Sequence, residues 1–259
     1  MVVSPADAIG ASDPETTILI ARLFAYVVIG AAAAILLYYL AAYVEYVLAE
    51  NFGYEWGYLA IGIAAAVVYG VSGVASILTE VGWLDVFTEG AVLFFILFVA
   101  LGIRAMYHSE RGVDHASRLF PPWVDYLVVA AFVVAWWTGF FIDESWTRPV
   151  VAVGWIAASV WAIVYAVRTV RVHEGTSLAA LTRHLLPAVL CIVIIIIVDL
   201  LSEIDVTHVA FVDATWLIGT TLVGAFLFNT AVAIRQQGGQ VERMYDWTTW
   251  RQQSVRDDE

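Results

Sequence analysis

Long apolar runs separated by short polar segments make up most of this 259-residue chain. Each run covers about 20–28 residues, which is long enough for a helix to cross the hydrocarbon core of a bilayer. The composition agrees with this reading, because 62% of the residues are hydrophobic and only 14% are charged. Such values lie far outside those of soluble domains. The sequence therefore predicts an all-α, polytopic membrane protein.

Seven transmembrane helices are predicted from these runs. They cover residues 17–42, 56–78, 83–106, 123–142, 149–170, 181–201 and 206–237. No stretch outside them is long enough to bury a core of its own. We expect one transmembrane domain, residues 17–235, between an acidic N-terminal tail, residues 1–16, and a polar C-terminal tail, residues 236–259.

The distribution of arginine predicts the orientation. With seven helices, ten of the 12 basic residues fall on the side that carries the 3–4 loop, the 5–6 loop and the C-terminal tail. Basic residues near helix ends are enriched on the cytoplasmic side. The prediction is an N-terminus outside the cell, a cytoplasmic C-terminus, and a multi-pass protein of the plasma membrane.

Ionisable residues gather in the outer third of the predicted membrane region. Carboxylates that lie close together at low dielectric cannot all ionise, so one of them is expected to hold a proton or share a cation. Two readings stay open, since such groups either mark helix ends in the headgroup layer or form a buried network. The candidate polar or ion site consists of Arg22, Asp85, Glu89, Asp199, Asp213 and Thr215.

Asp213 is the most informative of these residues because it lies about two turns inside the last apolar run. A carboxylate at that depth is costly in lipid and is expected to face a partner or a cavity. Arg22 is the basic side chain at comparable depth, on helix 1, which neighbours helix 7 in a closed seven-helix ring. We expect an Arg22–Asp213 pair, with Thr215 as the only local hydroxyl and Glu89 as a further acid.

Several classes of function are disfavoured by the composition. A net charge of −12 argues against nucleic-acid binding and is compatible with a halophile-type, archaeal proteome. The single cysteine, Cys191, permits neither a disulfide framework nor a cysteine-based metal site. No two histidines share a helix face at ligand spacing, and no catalytic motif is present. We expect neither enzymatic activity nor a cofactor or metal.

Two fragments resemble the microbial (type 1) rhodopsins. Val212-Asp213-Ala214-Thr215 is similar to the seventh helix of that family, and Trp83-Leu84-Asp85-Val86-Phe87-Thr88 is similar to its third helix. The resemblance implies a seven-helix opsin-like fold in which Asp85 matches the primary counterion and Asp213 the second acid. However, all 12 basic residues are arginines, and Leu217 stands one turn after Asp213, where the family carries its Schiff-base lysine. The absence of lysine excludes covalently bound retinal.

Two functions follow as hypotheses. The first is a non-catalytic seven-helix membrane protein of opsin-like architecture that acts as a sensor, a scaffold or a subunit of a complex. The second is a proton or cation transporter or channel that uses the outer acidic residues. The expected partners are the lipid bilayer and either a second copy of the chain or another membrane protein.

The missing lysine generates the first testable prediction. Purified protein mixed with all-trans retinal should show no visible absorption band beyond that of free retinal, because no lysine side chain is available inside the bundle to form a protonated imine. Visible spectroscopy before and after addition of retinal provides the measurement. A band shifted far from that of free retinal would contradict the prediction.

Overall fold

The computed structural model describes residues 14–47, 55–79, 81–109, 123–141, 147–172, 177–203 and 206–256. These residues form seven α-helices: α1 (Pro14–Val47), α2 (Glu55–Thr79), α3 (Trp83–Ser109), α4 (Trp123–Phe141), α5 (Thr147–Val172), α6 (Ser177–Glu203) and α7 (Val209–Arg256). No strand occurs among the described residues. The all-α prediction is confirmed for this part of the chain.

Six of the helices are long and apolar enough to cross a membrane by length and composition. The candidate spans are Thr16–Ala42, Trp56–Thr79, Trp83–Tyr107, Val153–Val172, Leu181–Ser202 and Val209–Gln236. In α4 the corresponding apolar stretch, Tyr126–Thr138, is shorter. The chain is therefore a multi-pass membrane protein. Of the seven predicted spans, the fourth is the one whose described apolar stretch is too short to count as a membrane span by this criterion.

The helices form a closed ring with one helix outside it. Contacts run from α1 to α2, from α2 to α3, from α3 to α5, from α5 to α6, from α6 to α7 and back from α7 to α1. The remaining helix, α4, packs against α3 and α5. The expected contact between helices 1 and 7 is confirmed.

Glycines allow the backbones of α1 and α2 to meet. A Cβ atom added at Gly70 would lie 2.5 Å from the Cα of Gly30, whereas one added at Gly30 would lie 3.3 Å from the Cα of Gly70. Small residues are the usual means by which membrane helices approach closely, because lipid is as apolar as the side chains and drives no association by itself. This crossing brings α1 and α2 together in the same half of the bundle as the cavity described below.

An aromatic cluster docks α4 on the outside of the ring. The indole N–H of Trp136 donates a hydrogen bond of 3.1 Å to the Val86 carbonyl oxygen on α3. Its ring stands edge-to-face against Phe87 and Phe94, with centroids 5.4 and 5.6 Å away. Trp136 therefore holds α4 against α3.

The predicted polar C-terminal tail, residues 236–259, is helical over its described part. Helix α7 continues without interruption to Arg256, well beyond the apolar span that ends at Gln236. Most of the predicted N-terminal tail lies outside the described residues, as do the 3–4 loop and the side chain of Arg148 on which the orientation partly depends.

The helix crossing at Gly70 yields a stability prediction. Gly70→Ala should lower the melting temperature in detergent, because its methyl group would collide with the backbone of α1 at Gly30. Backbone atoms cannot move aside by a change of rotamer, as a side chain could. Overpacking of this kind typically costs about 1–3 kcal/mol, which exceeds the gain of roughly 1 kcal/mol from replacing a helical glycine by alanine.

Gly57→Ala on the same helix is the matched control. No atom outside its own helix lies within 4 Å of a Cβ at that position, so this change should leave the melting temperature unchanged or raise it. Equal melting temperatures for the Gly70→Ala and Gly57→Ala proteins would show that α1 and α2 do not cross at Gly70.

Candidate functional site

The two ends of the bundle differ in charge. We call the end at which α1, α3, α5 and α7 begin the acidic end, because it carries Asp85, Asp199 and Asp213. The opposite end, which carries Arg104, Arg168 and Arg235, is called the basic end. The predicted site residues all belong to the acidic end.

A cavity of about 430 Å³ lies inside the acidic half of the ring. Its described lining residues come from six helices, α1, α2, α3, α5, α6 and α7. The described lining residues are Tyr26, Ile29, Ala66, Tyr69, Asp85, Thr88, Glu89, Val92, Phe95, Trp155, Ile192, Ile195, Ile196, Asp199, Trp216, Thr220 and Val223. Its volume falls within the roughly 300–1,000 Å³ that is common for small-molecule sites.

Three of the predicted acids meet at this cavity. Asp85 and Glu89, one turn apart on α3, and Asp199 on α6 all line it and are exposed. Asp85 also accepts a hydrogen bond of 2.5 Å from the Ser76 hydroxyl of α2. Exposure of the carboxylates indicates that water reaches them, so the acidic end is where the cavity opens.

Buried hydroxyl groups connect α3 to α2 beside the acids. The Thr88 hydroxyl lies 3.0 Å from the Ser72 oxygen and 2.9 Å from the Leu84 carbonyl oxygen. Ser72 in turn lies 3.3 Å from the carbonyl oxygen of Tyr69. Both side chains are less than one-tenth exposed, so this short chain of hydroxyls holds the α3 face that presents the carboxylates.

Asp213 lies outside the cavity lining and forms an ion pair with Arg22. A guanidinium nitrogen of Arg22 donates to the Asp213 carboxylate, joining α1 to α7. The expected contact is therefore present in the structure. The pair is only partly buried, since the side chains of Arg22 and Asp213 are 44% and 23% exposed. Thr215 is half-buried and is not among the lining residues.

An aromatic wall joins the ion pair to the cavity. The guanidinium carbon of Arg22 lies 5.6 Å from the centroid of the Trp216 ring, which lines the cavity. Tyr26 stands edge-to-face to Trp216 and to Tyr69, with centroids 5.0 and 5.2 Å apart. Three helices thus contribute rings to one wall. Sequence reasoning missed these residues, because an aromatic residue within an apolar run gives no sign of the face that it occupies.

The basic half of the ring is closely packed. Large apolar side chains from five helices fill it and are at most 1% exposed, among them Leu36, Ile63, Val99, Leu185 and Leu227. Packing at interior density leaves few voids as large as a water molecule. The cavity accordingly ends within the membrane region of the described structure.

Arg104 is a buried residue near the basic end of α3. It is only 4% exposed, and its guanidinium carbon lies 5.4 Å from the centroid of the Trp161 ring on α5. A cation over an indole face is stabilised by the ring quadrupole. The long side chain of arginine lets the residue fold back into the bundle, and its position in the sequence alone does not reveal this.

Asn229 makes a separate polar contact near the basic end. Its side-chain nitrogen lies 3.2 Å from Nδ1 of His184, which links α7 to α6. Neither residue lines the cavity. His184 lies two turns inside α6, which begins at Ser177.

Comparison with known proteins adds no assignment. No family model matches the chain. No curated protein and no solved structure matches it either.

The Arg22–Asp213 pair predicts coupled losses of stability. Arg22→Leu and Asp213→Leu should each lower the melting temperature in detergent, because each leaves the other charge without its partner. Each change should lower the free energy of unfolding by an amount between two limits. These are the roughly 0–1 kcal/mol typical of surface ion pairs and the about 3–5 kcal/mol typical of fully buried ones. The double variant should recover part of the loss.

Arg171→Leu is a suitable control, since it removes an exposed arginine from the basic end of α5. It should melt like the wild type. If both single variants at the pair also melt like the wild type, solvent rather than a partner satisfies Asp213.

The packed basic half predicts that the resting protein conducts no ions. In proteoliposomes carrying a pH-sensitive or cation-sensitive dye, the wild type should show no flux above that of empty vesicles, while added gramicidin should confirm that the assay responds. Asn229→Leu should give the same result, since Asn229 lies apart from the cavity. Flux that Asn229→Leu abolishes would show that a pathway passes the basic end.

Proposed function

We propose that this protein is a sensor of the cell membrane that binds a small molecule without a covalent bond, in the cavity at its acidic end. The cavity carries this proposal, because it has the volume of a small-molecule site, polar groups at its mouth and apolar groups inside. The protein would have opsin-like architecture with seven spanning helices and no lysine for an imine. No catalytic role is proposed.

The lining favours a sensor over a passive scaffold. A ligand in the cavity would touch side chains of six helices at once, so its binding would favour whichever helix arrangement fits it best. One of these helices, α7, carries Trp216 and Thr220 in the lining and continues as a helix to Arg256. A movement of α7 at the cavity would thus also move the part of the helix that continues past the end of its apolar span.

The proposed orientation places the acidic end outside the cell and the basic end in the cytoplasm. The described arginines at the basic end, Arg104, Arg168 and Arg235, support this through the usual excess of basic residues on the cytoplasmic side. A ligand would then enter from outside, and the extension of α7 would lie in the cytoplasm. A proton or cation transporter is the second hypothesis, which the packed basic half disfavours.

Filling the cavity provides the test of the proposed function. Ala66 is 3% exposed and lines the cavity, so Ala66→Trp would place an indole in the space of the ligand. The full chain is purified in nanodiscs from a native-type membrane, and bound molecules other than lipids are identified by mass spectrometry after extraction. We expect a stoichiometric small molecule with the wild type and its loss with Ala66→Trp.

Ala157→Trp is the matched control, because Ala157 is exposed on α5 and is absent from the lining. It should retain the molecule. Val223→Phe, which fills the cavity from α7, is a second blocking variant in case Ala66→Trp does not fold. A wild-type protein that retains no molecule, or one that the blocking variants retain equally, would contradict the proposal.

A further inference from the structure

The outer surface of α6 and α7 is apolar over most of its length, and Asn229 interrupts it. Large exposed side chains on this surface include Leu190 and Ile194 on α6 and Leu222 and Phe228 on α7. The side chain of Asn229 is also exposed, seven residues before the end of the apolar span Val209–Gln236. A polar group that faces hydrocarbon has no water to bind and is costly there. The amide of Asn229 therefore requires partners.

His184 satisfies only part of this requirement. The amide nitrogen of Asn229 donates to Nδ1 of His184 over 3.2 Å. Because an amide nitrogen can only donate, Nδ1 accepts, and the proton of the neutral imidazole lies on Nε2. The second N–H of Asn229 and the Nε2–H of His184 make no hydrogen bond with any described residue. By contrast, the exposed hydroxyl of Thr221 donates to the carbonyl oxygen of Leu217 in its own helix, at 2.7 Å.

Arg183 adds a positive charge beside these two donors. It precedes His184 on α6, and its side chain is exposed. The guanidinium carbons of Arg168 and Arg235, at the same end of the bundle, lie 6.0 and 5.9 Å from the centroids of tyrosine rings. Arg183 has no hydrogen bond, ion pair or ring contact with any described residue. Its charge is therefore available to a ligand.

A phosphate ester matches this combination of groups. It carries a negative charge for a guanidinium and several oxygens that accept hydrogen bonds from neutral N–H groups. Arg183 is the third residue of the apolar span Leu181–Ser202, and Asn229 lies about 10 Å before the end of the span in α7. Both residues thus lie near the boundary between hydrocarbon and head groups, which is the level of the phosphates of a bilayer.

The apolar surface beside these groups favours a lipid over a soluble phosphate. Leu190 follows Arg183 by seven residues and Leu222 precedes Asn229 by seven residues, so each shares a helix face with its polar counterpart. Both leucines are exposed, at 40% and 42%. Each lies two turns deeper in the membrane than the polar residue, where an acyl chain would run.

From these observations we infer that an anionic phospholipid binds at the seam between α6 and α7, at the basic end. Its phosphate lies against Arg183 and accepts from His184 and Asn229, and an acyl chain follows Leu190 and Leu222. With the basic end in the cytoplasm, the lipid belongs to the cytoplasmic leaflet, where anionic lipids are attracted by basic residues. This inference goes beyond the proposed function, because the cavity lies in the opposite half of the bundle.

Native mass spectrometry of the full chain, released from detergent micelles, measures the binding of single lipids. The probes are palmitoyl-oleoyl-phosphatidylglycerol and palmitoyl-oleoyl-phosphatidylcholine, which have the same chains and phosphate but differ in net charge. We expect the first phosphatidylglycerol to bind the wild type at least tenfold more tightly than phosphatidylcholine. The reason is that interactions with a charged group contribute about 1.5–3 kcal/mol.

Variants locate the head group. Arg183→Gln should lower the preference for phosphatidylglycerol about fivefold, which equals the roughly 1 kcal/mol typical of one arginine near an anionic surface. Asn229→Leu should weaken both lipids about tenfold, because both carry the phosphate that loses a donor. The matched control is Arg171→Gln, which removes the same charge from an exposed position on α5 and should change neither affinity.

Arg183→Lys keeps the charge and should retain most of the preference, and it replaces Arg183→Gln if that variant does not fold. Melting curves without added lipid confirm that each variant is folded. Glycerol phosphate, which has the phosphate without acyl chains, should not displace the lipid at the same concentration.

Other outcomes overturn the inference. Equal affinity of the wild type for the two lipids, or equal effects of Arg183→Gln and Arg171→Gln, would show a diffuse attraction rather than a site. Unchanged binding in Asn229→Leu would remove the seam from the site. Displacement by glycerol phosphate would assign the groups to a soluble phosphate, and a dimer that Asn229→Leu abolishes would assign them to a second copy of the chain.

Discussion

Carboxylates are costly inside an apolar bundle, and this constraint shapes the acidic end of the protein. An ionised acid among helices needs water, a hydrogen-bond donor or a counter-charge. The structure uses all three, since Glu89 and Asp199 are exposed at an open cavity, Asp85 accepts from Ser76, and Asp213 pairs with Arg22. The cavity is therefore part of what makes these residues tolerable inside an apolar bundle.

Close packing of the ring is the complementary requirement. The crossing of α1 and α2 at Gly30 and Gly70, together with the filled basic half, lets six helices close around a space at one end only. Without a hydrophobic driving force between helices in lipid, this closure depends on shape and on hydrogen bonds. The contrast between a packed half and an open half is what favours a binding protein over a conduit.

The charge of the site is divided between two arrangements. Arg22 and Asp213 neutralise each other beside Trp216, whereas Asp85, Glu89 and Asp199 line the cavity on the other side of the aromatic wall. Because the rings of Tyr26 and Trp216 lie between the two, binding in the cavity is positioned to influence the α1–α7 contact.

The sequence by itself determined the class of the protein and the position of its acidic residues along the helices. Hydropathy identifies membrane helices because it depends only on residues adjacent in the chain, and counting along each helix places Asp85, Glu89, Asp199 and Asp213 near one end. The pairing of Asp213 with Arg22 followed from the scarcity of basic residues at that depth. The order of neighbours, with α3 against α5 and α4 outside, and the aromatic wall were decided only by the tertiary structure. In a soluble protein an apolar stripe marks the face of a helix that packs, but in lipid both faces are apolar, so the sequence carries no such mark.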